Sequence, residues 1–84
     1  MFRKENEDER RKKDILEGYI MLINKVIYPT EKKIVIKYWY DKYTDEEVCD
    51  IYLFKNDKIY KKMFTIMLKD AVVFFENLWT IISG

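Results

Sequence analysis

The sequence predicts an all-α protein, a small four-helix domain containing a helix-turn-helix, on three observations. Two glycines and one proline among 84 residues leave little punctuation for a strand-rich chain. Thr44 and Glu47 stand at capping-box spacing. Val48, Ile51 and Tyr52 follow at i, i+3, i+4, the repeat of one apolar helix face. The expected helices lie near 5–28, 31–41, 44–53 and 57–82. They would share one core containing Leu22, Val26, Ile34, Tyr38, Val48, Ile51, Ile59 and Met63.

Residues 1–13 mix both charge signs and read as a charged N-terminal extension or a helix start, leaving 14–84 as a single helical domain. From Asp14 onward Ile15, Tyr19, Leu22 and Val26 form one stripe, with Leu16, Ile20, Ile23 and Ile27 beside it. Two adjacent stripes make a broad buried face. Gly18 permits close helix approach or is a tolerated weak point. Pro29 disfavours helix for the residue before it, and Thr30 can cap the next helix. The content of 31–40, with Ile34, Val35, Ile36, Tyr38, Trp39 and Tyr40, would also suit a strand. The cap at Thr30 and the lack of a partner strand elsewhere favour helix.

Asp41-Lys42-Tyr43 then connects to the motif at about 44–69. Asp45, Glu46 and Glu47 place negative charge at the positive end of its first helix. Leu53-Phe54-Lys55 closes the turn, and Asn56 or Asp57 caps the second helix. The inward face of that helix would carry Ile59, Tyr60, Met63 and Met67, continuing through Ala71, Val72, Phe74, Phe75, Leu78, Trp79 and Ile82. A short helix, a brief connection and a capped second helix form the plan whose second helix can enter a DNA major groove.

Overall charge is nearly balanced, with 16 basic and 15 acidic residues. Between Lys55 and Lys69, however, five lysines face one acid, Asp57. That surplus is either the electrostatic footprint of a recognition helix or simply the solvated face of a long helix. Cys49 is the sole cysteine and there is no histidine, so neither an internal disulfide nor a common metal site is expected. Cys49 reads as a small buried residue rather than a reactive thiol. No nucleophile–base pair or glycine-rich phosphate loop is evident, so no enzymatic activity and no cofactor are expected. The charged first residues do not resemble a secretory signal, and the run from Ala71 to Ile82 is too short to span a bilayer. A cytoplasmic location without membrane attachment is the expectation.

The segment IVIKYWYDKYTDEEVCDIYLFKNDKIYKKM resembles the C-terminal part of ArpU/RinA-type phage transcriptional regulators, a pattern similar to the C-terminal helix-turn-helix of bacterial sigma factors. Ile34 to Tyr40 matches the family's aromatic run, and Glu46-Glu47-Val48-Cys49 matches its two acids, aliphatic and small residue. Phe54 stands at the turn aliphatic and Ile59 at the buried position of the recognition helix. The chain departs from the pattern at Leu53, where a small residue is usual, and at Lys55 and Lys58, where Ser or Thr is usual. The presumed recognition helix also lacks the arginine that most often reads guanine.

Two functions follow as expectations. The favoured one is a small phage or mobile-element transcriptional regulator that binds double-stranded DNA. In it, Asn56, Lys58, Lys61, Lys62 and Thr65 would form the exposed front, with Lys42 and Lys55 flanking near phosphates. Asn56 and Thr65 would be the candidates for base edges. The alternative is a helix-turn-helix-like fold acting as a protein-binding module that inhibits or redirects a host protein. In either case Phe74, Phe75, Leu78 and Trp79 offer surplus apolar surface for a homodimer interface.

Overall fold

Five elements account for most of residues 4–28 and 31–84, the part of the chain that the computed structural model describes. They are α1 (Glu7–Ile27), β1 (Lys32–Asp41), β2 (Glu46–Lys55), β3 (Lys58–Met67) and α2 (Leu68–Ser83). The strands form one antiparallel sheet in the order β1-β2-β3, with both helices packed on one of its faces. The protein is therefore α+β, which corrects the expected all-α, four-helix architecture. Among the described residues there is no helix-turn-helix. The segment expected to form one is the β1–β2 turn, β2 and β3.

Period-two alternation explains the sheet. In β1, Ile34, Ile36 and Tyr38 face the helices while Lys33, Val35, Lys37 and Trp39 face away, and the β-branched and aromatic residues suit the pleat. β2 sets Cys49, Ile51 and Leu53 opposite Tyr38, Ile36 and Ile34. A helix would have scattered that row around its circumference. The strand buries all three.

Turn chemistry agrees. Asn56 and Asp57 have φ of 52° and 63°, and Lys55 pairs directly with Lys58. Two left-handed residues in a two-residue loop make the hairpin turn whose twist matches its strands. The Asn56 amide also donates to the Glu31 carbonyl at 2.9 Å, tying this turn to the start of β1. At the other end, Asp41 Oδ1 accepts from the Tyr43 amide at 2.9 Å, and Asp45 at φ 56° closes the loop. Thr44 lies in that loop and caps no helix.

Asn6 caps α1, accepting from the Glu9 amide at 2.8 Å while the Glu9 carboxylate accepts from the Asn6 amide at 3.1 Å. The capping box of this chain is thus at α1, not at Thr44. Residues 1–3, Pro29 and the Thr30 cap lie outside the described residues. Helix α2 follows β3 without a side-chain cap. It begins beside the end of the sheet where α1 also starts, since Lys13 Nζ reaches Glu47 Oε1 at 3.3 Å and Val48 pairs with Met67.

The core joins Leu16, Ile20 and Ile23 of α1, Ile34, Cys49 and Ile51 of the sheet, and Leu68, Ala71 and Phe75 of α2. Of the expected core, Ile34, Val48 and Ile51 are buried, and Tyr38 is half-buried. Leu22 (37% exposed), Val26 (54%), Ile59 (53%) and Met63 (40%) are not core. Ile51→Ala should therefore cost about 2–5 kcal/mol. Ile59→Ala should stay within about 0.5 kcal/mol, as for a surface site. Urea denaturation of both variants checks the assignment, and equal losses would contradict it.

Candidate partner-binding groove

Helix α1 runs beside β1 in the opposite direction, so Lys13 lies near Tyr38 and Asn24 near Ile34. At Asn24 the helix meets the outer edge of the strand. Asn24 Oδ1 accepts from the Ile34 amide at 2.7 Å, and Asn24 Nδ2 donates to the Ile34 carbonyl at 3.0 Å. One side-chain amide thus supplies the two bonds that another strand would make. Because Ile34 directs both groups away from β2, the same repeat directs those of Ile36 and Tyr38 outward, while Lys33, Val35 and Lys37 bond to β2.

Between the helix and this edge lies an open groove of about 640 Å³. Ile20, Met21, Tyr28 and Ile36 give it apolar walls. Lys25, Lys32 and Lys33 line one end, beside the start of β1, and Glu17 lines the other.

The two edges of the sheet differ. β1 keeps unbroken register with β2 over its ten residues. β3 breaks register twice, with Met63 and Tyr60 as the extra residues. Bulges are one means by which an edge is closed to further pairing, whereas lysines are present on both edges and do not separate them. β1 has neither a bulge nor a proline to stop another strand.

The sheet face away from the helices carries its own network. Asp50 accepts from Thr65 Oγ1 at 2.7 Å and meets Lys62 Nζ at 3.3 Å. The Thr65 bond, the largest influence, together with those of Trp39 and Lys62 holds the Asp50 carboxyl below the usual carboxylate range, outweighing the opposing effect of burial. Lys37 sits over the Tyr52 ring at 5.2 Å. At the hairpin end, Lys32, Lys55 and Lys58 stand directly opposite one another across the three strands. Like charges so placed repel.

Under the helices the chemistry is inert. Burial pushes the Cys49 thiol up to about 12, far from a reactive thiolate at neutral pH. Burial first, then the nearby Glu17 charge, raises the Tyr38 phenol, whose buried oxygen has no partner within hydrogen-bond geometry among the described residues. Burial alone would lower Lys13, but its bonds to Glu5 and Glu47 outweigh that and raise it. Among the described residues no group of three His, Cys, Asp or Glu side chains could hold a metal ion. Nor is any helix among them long and apolar enough to cross a membrane.

The residues expected to contact DNA do not share one surface. Lys42 is in the β1–β2 turn, whereas Lys55, Asn56 and Lys58 are at the opposite end of the sheet, about 30 Å away along a ten-residue strand. Lys62 and Thr65 lie on the open face, and Lys61 pairs with Leu53 on the other. The expected dimer surface is likewise divided. Phe75 is core, Leu78 and Trp79 pack against that core, and Phe74 is partly exposed while contacting the Phe64 and Phe75 rings at 5.3 and 5.0 Å.

Sequence reasoning missed Asn24, Lys25, Lys32 and Lys33. The available signal was an asparagine inside an otherwise apolar stretch of α1, followed by a lysine pair just before a β-branched run. Compared with known proteins, the chain matches no family model and no curated protein.

Asn24→Ala should destabilise the protein by about 1–3 kcal/mol, because two strand-edge groups lose their partner. Urea denaturation would show it. A loss under about 0.5 kcal/mol would mean that water replaces the amide at no cost.

Proposed function

We propose that this protein is a non-catalytic protein-binding module that receives an extended segment of its partner along the outer edge of β1. The carrying observation is the edge itself: Asn24 already makes strand-type bonds at Ile34, and an apolar groove continues beside the neighbouring positions. Added strands gain affinity from main-chain bonds and specificity from the pockets that take alternate side chains. Apolar residues left on the surface, among them Met21, Trp39 and Ile81, accord with a chain that works by contact with other proteins.

Nucleic-acid binding is the second reading, now without a recognition helix. It rests on the Lys32–Lys55–Lys58 row, whose mutual repulsion a polyanion would relieve. The near-neutral charge of the chain and the spread of its other lysines weigh against it.

Selection from a random-peptide display library tests the first reading. Enriched peptides should lose binding to Met21→Glu, which puts a charge in the groove, and keep it with Lys62→Glu on the open face. Failure to enrich any peptide, or enrichment insensitive to Met21→Glu, would remove the groove as the binding site. Binding of single-stranded or duplex oligonucleotides at moderate salt, lost on reversing the lysine row, would instead favour the second reading.

A further inference from the structure

We infer that the groove selects an acidic extended peptide, added antiparallel to β1 as a fourth strand with its carboxylates toward the C-terminal half. This rests on the protein-binding reading and specifies the chemistry and direction of the segment.

Direction follows from charge. Lys25 and Lys32 flank the end of the groove beside the start of β1, with Lys33 there on the open face and ion-paired with Asp57 at 3.4 Å, and Glu17 stands at the opposite end near Tyr38. A strand added antiparallel to β1 finishes where β1 begins. Its last residues, and its terminal carboxylate if the chain ends there, meet the three lysines, while its first residues meet Glu17. A parallel strand would bring its N-terminal half to the lysines. Lys25 also offsets the partial negative charge at the C-terminal end of α1.

Side-chain alternation follows from the walls. Main-chain bonds to Ile36 and Tyr38 place every second residue of the guest, about 6.8 Å apart, on the helix side of the sheet. There Ile20, Met21 and Ile36 offer apolar contact. Intervening residues project toward the open face, where Lys33 lies at the lysine end of β1 and Lys37 is held over the Tyr52 ring. Small aliphatic residues facing α1 alternating with acidic ones facing outward fit both surfaces. Asn24 keeps its bonds to Ile34 and sets where main-chain pairing stops, and the unpaired end of the guest continues past it to Lys25 and Lys32.

Fluorescence anisotropy with short labelled peptides tests this on the whole chain. The first peptide alternates valine with threonine, with glutamate replacing threonine in its C-terminal half. A second places the glutamates in the N-terminal half, and a third replaces them with lysine. A fourth is the first peptide with alternate backbone amides N-methylated on the side that would bond to β1. The first should bind at least about tenfold tighter than the second and third, or about 1.4 kcal/mol. Methylation should abolish its binding, and Lys32→Glu with Lys33→Glu should reverse the preference between the first and third. Equal binding of the methylated peptide would overturn strand addition and leave only attraction to the lysines. No preference for acids would overturn the chemistry assigned here, and no preference for their position would overturn the direction. If display selection enriches groove-dependent peptides that lack acids, the protein-binding reading stands and this inference falls. A dimer in sedimentation whose β1 edges are buried against each other would assign the edge to a second copy and also overturn it.

Discussion

β2 is hydrogen-bonded on both sides, and each other element takes its place from that strand. Its row of Cys49, Ile51 and Leu53 is apolar and must be covered, and burying a side chain such as Ile51 is worth about 1.5–3 kcal/mol. α1 and α2 meet over this row, bringing Leu16, Ile23 and Phe75 onto it. On the other face Val48 is buried, flanked in register by Trp39 and Met67, and polar contacts at Asp50 occupy the middle. A three-stranded sheet with helices on one side remains with two edges and one open face.

The treatment of those edges links fold to function. β3 is bulged, so it twists away from an approaching strand. β1 is regular, and α1 leans to its outer side, where Asn24 satisfies Ile34. A helix seated squarely over the sheet would leave no groove, and a helix lying along the whole edge would close it. The observed position covers the edge at Ile34 and leaves apolar walls beside Ile36. The lysines at one end give the groove a polarity, which is why it favours a charged partner in one direction.

α1 is the element most legible in the sequence, because its apolar residues at helical spacing have no competing period. Its broad double stripe nevertheless overstates the core, as Leu22 and Val26 remain exposed on the outer side. The sheet was obscured by coincidences of spacing. Thr44 and Glu47 reproduce a capping box, and Val48, Ile51 and Tyr52 fall at i, i+3, i+4, although Cys49, Ile51 and Leu53 fit a strand as well. The alternation in Lys33–Tyr40 was visible, and Asn56-Asp57 is a permissible left-handed turn pair, but each strand makes sense only with its partner. Non-local pairing decided against local helix signals. For the groove, Asn24 and Ile34 are ten positions apart and join only once α1 folds back along β1, so composition gave no hint of their contact.

Residue-resolved hydrogen exchange along β1 tests the open edge most directly. Val35 and Lys37, bonded to β2, should exchange slowly, as should Ile34, whose amide is held by Asn24. Ile36 and Tyr38 should exchange much faster, because their amides point away from β2, giving a two-residue alternation along the strand. Uniform protection from Ile34 to Tyr38 would mean that the edge is already covered, and the account of this protein as a receptor for an added strand would be wrong.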